Sequence, residues 1–278
     1  MHDPIFDRFE RVTTTGTGAH MHDFVGAITR VAFKSAWTKY AVPEGQAVTP
    51  GYPPKNEHYL DWIATLRAVD KAQGTFRMAE LGAGWAPWLV SAALAARQKP
   101  EITALELVGV EADPQHYEWM RDHMLDNGID PGSQSTIFGA ASNSSDMLRF
   151  PVIDNPDVNY GASLRAVYGD VPFIEVPGVI LETVLNKFSG PVDFLHVDIQ
   201  GAEYDLIPAE MDLLTEHVKS IMVGTHIDMQ KHDDLAALFR DAGWVEAMNF
   251  ERNSLNQTPY GQIKFDDGFL LFTNPALQ

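Results

Sequence analysis

The chain contains no cysteine among its 278 residues. Disulfide bonds, thiolate catalysis and zinc sites with cysteine ligands are therefore excluded. Positive charge is also scarce, because 20 Lys and Arg stand against 38 Asp and Glu, giving a formal net charge of −18. Phosphate backbones and anionic membrane surfaces repel a chain of this charge. The composition thus predicts neither a nucleic-acid partner nor a membrane partner.

Long apolar runs are absent as well, and none approaches the roughly 18 residues that a transmembrane helix requires. The first ten residues, MHDPIFDRFE, have neither a basic region nor an apolar core, which argues against a secretory signal. We therefore expect a cytoplasmic protein. Hydrophobic residues make up 45% of the chain, which is enough for a full globular core.

Two regions of different character follow one another. Residues 1–75 hold a Thr/Gly-rich stretch, many aromatic residues and a Pro-rich loop, and then apolar side chains at helical spacing from Tyr59 to Val69. This pattern predicts an N-terminal helical cap or lid. From residue 76 to 278, short apolar runs alternate with helical patterns, which predicts an α/β domain with a mainly parallel sheet.

Several details of the second region can be predicted. Asp113 followed by Pro114 is typical of a helix start. We expect irregular structure from about Asp146 to Pro177. The last two strands, WVEAMNF and GFLLFTN, follow each other with only a loop between them, which favours an antiparallel final strand.

Ligands of such sheets bind beyond the carboxyl ends of the strands. The first strand runs into Glu80-Leu81-Gly82-Ala83-Gly84. Its glycines would let the backbone approach a ligand closely, and the following helix N-terminus favours an anionic group. The second strand ends at Glu111, whose carboxylate could accept hydrogen bonds from both ribose hydroxyls. A dinucleotide-binding fingerprint would have a third glycine after this loop. The chain instead continues as Trp85-Ala86-Pro87-Trp88, which fits that fingerprint poorly.

Later strand ends carry further polar candidates. Asp198 could hold a metal, a substrate hydroxyl or a cofactor ammonium. Glu203 is close enough in sequence to share that site, or it serves the N-terminus of the next helix. His226 ends the fifth strand and is expected to face the same crevice. His196, by contrast, is expected to pack within the sheet.

The segments Glu80-Leu-Gly-Ala-Gly84, Glu111 and His196-Val-Asp-Ile-Gln-Gly-Ala-Glu203 together resemble the FkbM family of methyltransferases. DIQGAE followed by a strand ending in GTH is the most specific part, and the resemblance covers about residues 76–274. The glycine loop is similar to the class I methyltransferase motif E/D-x-G-x-G-x-G, with Ala86 at the third glycine. Because alanine is small, we expect cofactor binding to survive this departure.

The resemblance implies a Rossmann-like class I methyltransferase fold, with seven strands of which the last is antiparallel. It also implies S-adenosylmethionine as methyl donor and O-methylation of a sugar or natural-product hydroxyl, so the partner would be a small-molecule or glycan acceptor. Oligomerisation is compatible with the sequence. Cofactor-binding roles are implied for Glu80, Gly82, Gly84, Glu111, Ala140, Ala141, Ser142 and Asp198.

The same resemblance places Asp198, Glu203 and His226 on the acceptor side, where His226 would remove the hydroxyl proton and Asp198 would orient the acceptor. Some family members use a divalent metal, so Mg²⁺ held by Asp198, Glu203 and Asp228 is an alternative. A His-x-His pair at His20 and His22 lacks a third ligand and is not expected to bind metal.

Two other functions remain open from the residues alone. A NAD(P)-dependent oxidoreductase could use Tyr260 and Lys264, although this pair lies in a glycine-containing loop where helical alignment is not expected. A non-catalytic cofactor-binding scaffold could act through its acidic surface. The aromatic residues of the cap and glycine loop could stack on a sugar or simply pack lid against core. These aromatic residues are Trp37, Tyr40, Tyr52, Tyr59, Trp85 and Trp88.

Overall fold

The computed structural model describes residues 2–152, 154–164, 171–227 and 229–277. Before residue 72, the described chain forms one α-helix among short strands and 3-10 helices, so the prediction of a helical cap is wrong in this respect. Glycine and proline interrupt the segment too often for longer helices. Its elements are β1 (Thr14–Thr15), β2 (His20–His22), β3 (Ile28–Arg30), β4 (Ala47–Val48) and α1 (His58–Lys71), with 3-10 helices at Pro4–Arg8, Val31–Phe33 and Ser35–Tyr40.

Strands and helices then alternate, as predicted. The elements are β5 (Gly74–Leu81), α2 (Pro87–Ala96), β6 (Ile102–Glu111), α3 (Pro114–Asp126), β7 (Ser135–Phe138), β8 (Ala140–Ala141), β9 (Met147–Pro151), β10 (Phe173–Val179), α4 (Leu181–Leu185), β11 (Phe194–Val197), α5 (Glu203–Ala209), α6 (Met211–His217), β12 (Ser220–Thr225), α7 (Met229–Asp241), β13 (Val245–Phe250), β14 (Ser254–Thr258), β15 (Gly261–Phe265) and β16 (Gly268–Thr273). A 3-10 helix, Pro275–Leu277, follows β16.

The central sheet has seven strands in the order β13-β16-β12-β11-β5-β6-β7. All pairs are parallel except those of β16, which runs antiparallel to both neighbours. This confirms the seven-stranded, mostly parallel sheet with an antiparallel last strand. The chain order reverses between β5 and β11, and a crevice opens at such a reversal at the carboxyl ends of the strands.

The predicted helix start at Asp113 is confirmed, since its carboxylate accepts hydrogen bonds from the backbone N–H groups of Gln115 and His116. Two stretches are more regular than predicted. The segment around Asp146 to Pro177 contains the antiparallel pair β9 and β10, and the expected loop before the last strand contains the hairpin of β14 and β15. Both pairs lie outside the central sheet, and such short, partly exposed strands lack a strong alternating pattern.

The N-terminal region is held firmly on the core through α3. The Arg30 guanidinium binds both carboxylate oxygens of Asp126, at 2.6 and 2.9 Å. Asn127 exchanges two hydrogen bonds, each 2.9 Å long, with the backbone of Ile28. Such bidentate contacts fix the position of residues 28–30 over the carboxyl side of the sheet.

None of the helices in the described ranges combines the length and apolar character that spanning a membrane requires.

Candidate active site

A cavity of about 830 Å³ lies at the carboxyl ends of β5, β6, β8 and β11. It is lined by residues that follow these strands and, on the opposite side, by residues of the N-terminal region. Seven of the predicted site residues line it, while Ser142, Glu203 and His226 do not. The seven are Glu80, Gly82, Gly84, Glu111, Ala140, Ala141 and Asp198.

The glycine loop after β5 has a backbone that glycine alone adopts without strain. Gly82 and Gly84 have φ of +73° and +56°. At Gly82, an added Cβ would lie 1.9 Å from the carbonyl oxygen of Asp198, so no other residue fits between the ends of β5 and β11. Ala86, which stands at the third glycine of the motif, also has a positive φ of 56°. The left-handed backbone there explains why glycine suits this position.

Glu80 is buried beneath the glycine loop and serves the next helix. Its Oε2 accepts a hydrogen bond from the backbone N–H of Leu89 at 2.9 Å, near the N-terminus of α2. Burial raises the pKa of Glu80 to about 7. Part of the anion-binding capacity of this helix terminus is therefore already used by the protein itself.

Glu111 also makes backbone contacts at the loop. Its Oε2 accepts from the N–H of Gly84 at 2.7 Å, and its Oε1 accepts from the N–H groups of Ala112 and Asp113 at 2.8 and 2.7 Å. Burial raises the pKa of Glu111 to about 7 despite these hydrogen bonds. A carboxylate has about four acceptor positions. One position is thus available to a ligand hydroxyl without breaking the contact with Gly84.

Asp198 forms a polar end of the cavity, and His226 contacts it from outside the lining. The side chain of Asp198 is 43% exposed, and its Oδ1 lies 3.3 Å from Nε2 of His226. The amide of Gln200 donates to the same Oδ1 at 2.8 Å. Burial alone would raise the pKa of Asp198, but these hydrogen bonds and the nearby histidines lower it. Asp198 is therefore a carboxylate at neutral pH, and both of these contacts are made by its Oδ1.

His226 lies between two carboxylates. Its Nδ1 is 3.0 Å from Oε1 of Glu203, on the side away from Asp198. Burial lowers the pKa of His226, but the hydrogen bonds with Asp198 and Glu203 outweigh this effect and raise it to about 10. His226 is therefore an imidazolium at neutral pH, and a protonated ring cannot accept a proton from an acceptor hydroxyl.

The ionic contacts of His226 with Asp198 and Glu203 make the free energy of unfolding depend on pH. The folded pKa of His226 lies above its unfolded value of 6.5, so its contribution is complete below pH 6.5 and is lost as the pH rises through about 10. We expect the free energy of unfolding of the wild type to fall more between pH 7 and 10 than that of a His226→Gln variant. Urea unfolding of both proteins at several pH values in this range measures the difference. Parallel pH dependences would contradict the charged pair.

A metal site is not assembled among the residues that the structure describes, since no group of three or more His, Asp or Glu is arranged to hold an ion. Glu203 is fully buried, and it accepts hydrogen bonds from the backbone of Gly201 and His226 besides the ring contact. Asp228, the third predicted ligand, lies outside the described residues. Because Glu203 is fully buried and does not line the cavity, the described residues do not fit the predicted Mg²⁺ site.

His196 is the main site residue that sequence reasoning missed. It packs within the sheet as expected, but it also lines the cavity beside Asp198. Its Nε2 lies 3.3 Å from Oδ1 of Asp61 in α1, and its ring lies 5.8 Å from that of Trp88. The buried Nδ1 has no hydrogen-bond partner among the described residues. The partner Asp61 comes from a segment 135 residues earlier, so local sequence carried no signal for the pair.

The N-terminal region supplies much of the cavity wall, including Lys34, His58 and Trp62. Of the aromatic residues singled out in the sequence, Trp37, Tyr40, Trp85 and Trp88 line the cavity. The remaining two pack elsewhere. Tyr59 is 1% exposed in the core, and the Tyr52 ring lies against Phe6 and Phe24.

The residue pair that a dehydrogenase would need is not formed. The Tyr260 hydroxyl donates to Asp3, and Lys264 pairs with Asp266 at an exposed position. Neither side chain lines the cavity. His20 and His22 likewise contact Thr17 and Thr14 rather than sharing a ligand.

Fold and site define a Rossmann-like α/β protein of the class I methyltransferase type, with a glycine loop and an acidic strand end facing one cavity. The Methyltransferase FkbM domain matches residues 90–245. A provisionally described methyltransferase of Jannaschia sp. (strain CCS1) is 31% identical over 245 residues, covering 84% of this chain and 85% of that protein. The chain belongs to the FkbM methyltransferase family.

The chain is also similar, at low identity, to two solved methyltransferase structures. Methyltransferase FkbM from Methylobacillus flagellatus KT has a TM-score of 0.44 and 10% identity, over 73% of this chain and 45% of that chain. Precorrin-6y C5,15-methyltransferase from Geobacter metallireducens GS-15 has a TM-score of 0.43 and 11% identity, over 75% of this chain and 86% of that chain.

Proposed function

We propose that the protein transfers a methyl group from S-adenosylmethionine to a hydroxyl oxygen of a small-molecule or glycan acceptor. The observation that carries this proposal is the convergence of the glycine loop, Glu111 and Asp198 on a single cavity. Its volume of about 830 Å³ lies within the usual range for small-molecule sites.

The donor would lie along the ends of β5, β6 and β8. Gly82 and Gly84 line the cavity where the methionine part would lie, and the remaining acceptor position of Glu111 suits a ribose hydroxyl. Ala140 and Ala141 are small and apolar, which suits an adenine ring. S-adenosylmethionine supplies an activated methyl group on a sulfonium, so the protein mainly has to align the reactants.

The acceptor would lie beside Asp198, where the wall also contains Trp62 and Trp88. These indole rings are perpendicular, with centroids 5.7 Å apart, and offer apolar faces to a sugar or another ring. An acceptor hydroxyl would donate to Oδ2 of Asp198, because Oδ1 already accepts from Gln200 and contacts His226. This hydrogen bond orients the acceptor oxygen.

In the reaction the acceptor oxygen forms a bond to the methyl carbon while the carbon–sulfur bond breaks, and the hydroxyl proton passes to Asp198. His226 remains protonated and balances the charge of Asp198, so it is a positioning residue in this scheme. Glu203 fixes the imidazolium from the other side.

Glu111 provides a test of the donor site. Replacing Glu111 with alanine is expected to weaken binding of S-adenosylhomocysteine by about 1–3 kcal/mol, through loss of charge-assisted hydrogen bonds and of the loop contact. Isothermal titration calorimetry on both proteins measures the change. An unchanged dissociation constant would refute the assignment of Glu111 to the ribose.

Activity is tested by incubating the protein with methyl-labelled S-adenosylmethionine and a panel of glycosides and natural-product alcohols. We expect label on an acceptor oxygen, located by mass spectrometry and NMR of the product. Donor binding without transfer to any acceptor in the panel would favour a non-catalytic scaffold. Label on nitrogen or carbon alone would overturn the hydroxyl assignment.

A further inference from the structure

Lys34 is the one Lys or Arg among the described residues that line the cavity. Its ammonium lies against three aromatic rings, with Nζ 5.3 Å from the ring centroid of Trp37, 4.9 Å from that of Trp85 and 4.6 Å from that of Tyr160. The Trp85 ring is nearly perpendicular to the other two, at 87° and 81°. We call Trp37, Trp85 and Tyr160 the aromatic cage.

The aromatic cage is fixed by contacts of its own. The Tyr160 ring stacks on His116 with centroids 4.3 Å apart, and its hydroxyl donates to the carbonyl of Phe33 at 2.5 Å. The carbonyl of Trp85 lies 2.8 Å from Nδ1 of His123. The ammonium of Lys34 is therefore held at a defined point of the cavity by ring packing.

Ring faces attract a cation but do not satisfy its hydrogen-bond donors. A lysine ammonium has three N–H donors, and cation–π contacts attract its charge without accepting from them. Within the part of the chain that the structure describes, Nζ of Lys34 has no carboxylate partner, and burial lowers its pKa. The ammonium thus retains donors for an anionic ligand.

The two cavity histidines with raised pKa values, His58 and His196, are both already paired with Asp61. Its carboxyl-bearing residues are Asp23, Glu80, Glu111, Asp198 and Asp267. The N-terminus of α2, which follows the glycine loop, already binds a carboxylate of the protein at the N–H of Leu89. A zwitterionic amino-acid group in this cavity has acidic partners for its ammonium, and Lys34 is the basic partner for its carboxylate.

Lys34 lies at the loop assigned to the methionine part of the donor. Trp85 directly follows Gly84, and a ring carbon of Tyr160 lies 3.7 Å from the position of a Cβ on Gly84. We propose that Lys34 binds the carboxylate of the methionine part of the methyl donor. The inference rests on the proposed function, and it makes the N-terminal region a part of the donor site, although it lies outside the matched family domain.

Calorimetry with two ligands tests this inference. S-adenosylhomocysteine carries the amino-acid carboxylate, whereas 5′-methylthioadenosine keeps the adenosine and the thioether but lacks the amino acid. Lys34→Met is expected to weaken S-adenosylhomocysteine about tenfold or more, with 5′-methylthioadenosine nearly unchanged. Methionine is chosen as the replacement because its thioether packs well against aromatic rings, so the aromatic cage is expected to stay intact. Lys34→Arg keeps the charge and should retain more affinity.

Lys39→Met is the matched control, because Lys39 lies in the 3-10 helix that directly follows Lys34, with its Nζ 5.0 Å from the Tyr40 ring, and does not line the cavity. It should bind both ligands like the wild type. Equal S-adenosylhomocysteine affinity in wild type and Lys34→Met, or an equal loss for both ligands, would overturn the inference alone. A wild-type protein that binds no S-adenosylhomocysteine would instead overturn the proposed function.

Discussion

Replacing Asp198 with alanine is expected to lower kcat by about 10²-fold or more while leaving the affinity for S-adenosylhomocysteine within a few-fold of the wild type. The reason is that Oδ2 of Asp198 is the carboxylate oxygen we assign to the acceptor hydroxyl, whereas the donor contacts lie mainly on the glycine loop and Glu111. Single-turnover methyl transfer and calorimetry measure the two quantities separately.

Asp198→Asn is the matched variant, since it keeps the shape but removes the negative charge. We expect kcat to fall nearly as far as in Asp198→Ala, because an amide cannot take the hydroxyl proton. Near-normal turnover in both variants would mean that the acceptor site lies elsewhere. A large loss of donor binding with normal kcat would move Asp198 to the donor side.

Replacing Gly82 with alanine is expected to lower the free energy of unfolding by about 3 kcal/mol or more and to abolish measurable donor binding. The new Cβ would lie 1.9 Å from the backbone oxygen of Asp198, and neither strand end can yield without breaking the pairing of β5 with β11. Both the left-handed backbone and the collision contribute.

Gly74→Ala separates these two contributions. Gly74 has a φ of +70°, close to that of Gly82, but nothing lies within 4 Å of an added Cβ. This variant should lose only the backbone cost of about 1–2 kcal/mol and bind the donor normally. Chemical denaturation compares the two variants. Equal destabilisation would show that the close approach of Gly82 to Asp198 is unimportant.

The sheet and the donor side of the site could be predicted because their signals are local. β11 is buried along its whole length and its sequence is apolar except for His196, and the glycine loop follows β5 directly. Strand ends of a parallel sheet converge on one edge, which placed Glu111 and Asp198 together.

Other features depend on contacts between distant parts of the chain. The ammonium of Lys34 contacts the ring of Tyr160, and His196 contacts the carboxylate of Asp61. In both pairs the two residues are more than 100 positions apart in the sequence. The charge of His226 could not be read from the sequence either, because Glu203 contacts its ring only after α5 and β12 have packed. Short exposed strands that pair with each other, such as β14 and β15, also have only a weak local sequence pattern.

Titration of the wild-type protein with S-adenosylhomocysteine and, separately, with NAD⁺ and NADP⁺ tests the central claim that the cavity is a methyl-donor site. We predict saturable binding of one S-adenosylhomocysteine per chain, competed by S-adenosylmethionine, and no heat of binding with either nicotinamide nucleotide. Binding of a nicotinamide nucleotide in the absence of S-adenosylhomocysteine binding would contradict the claim.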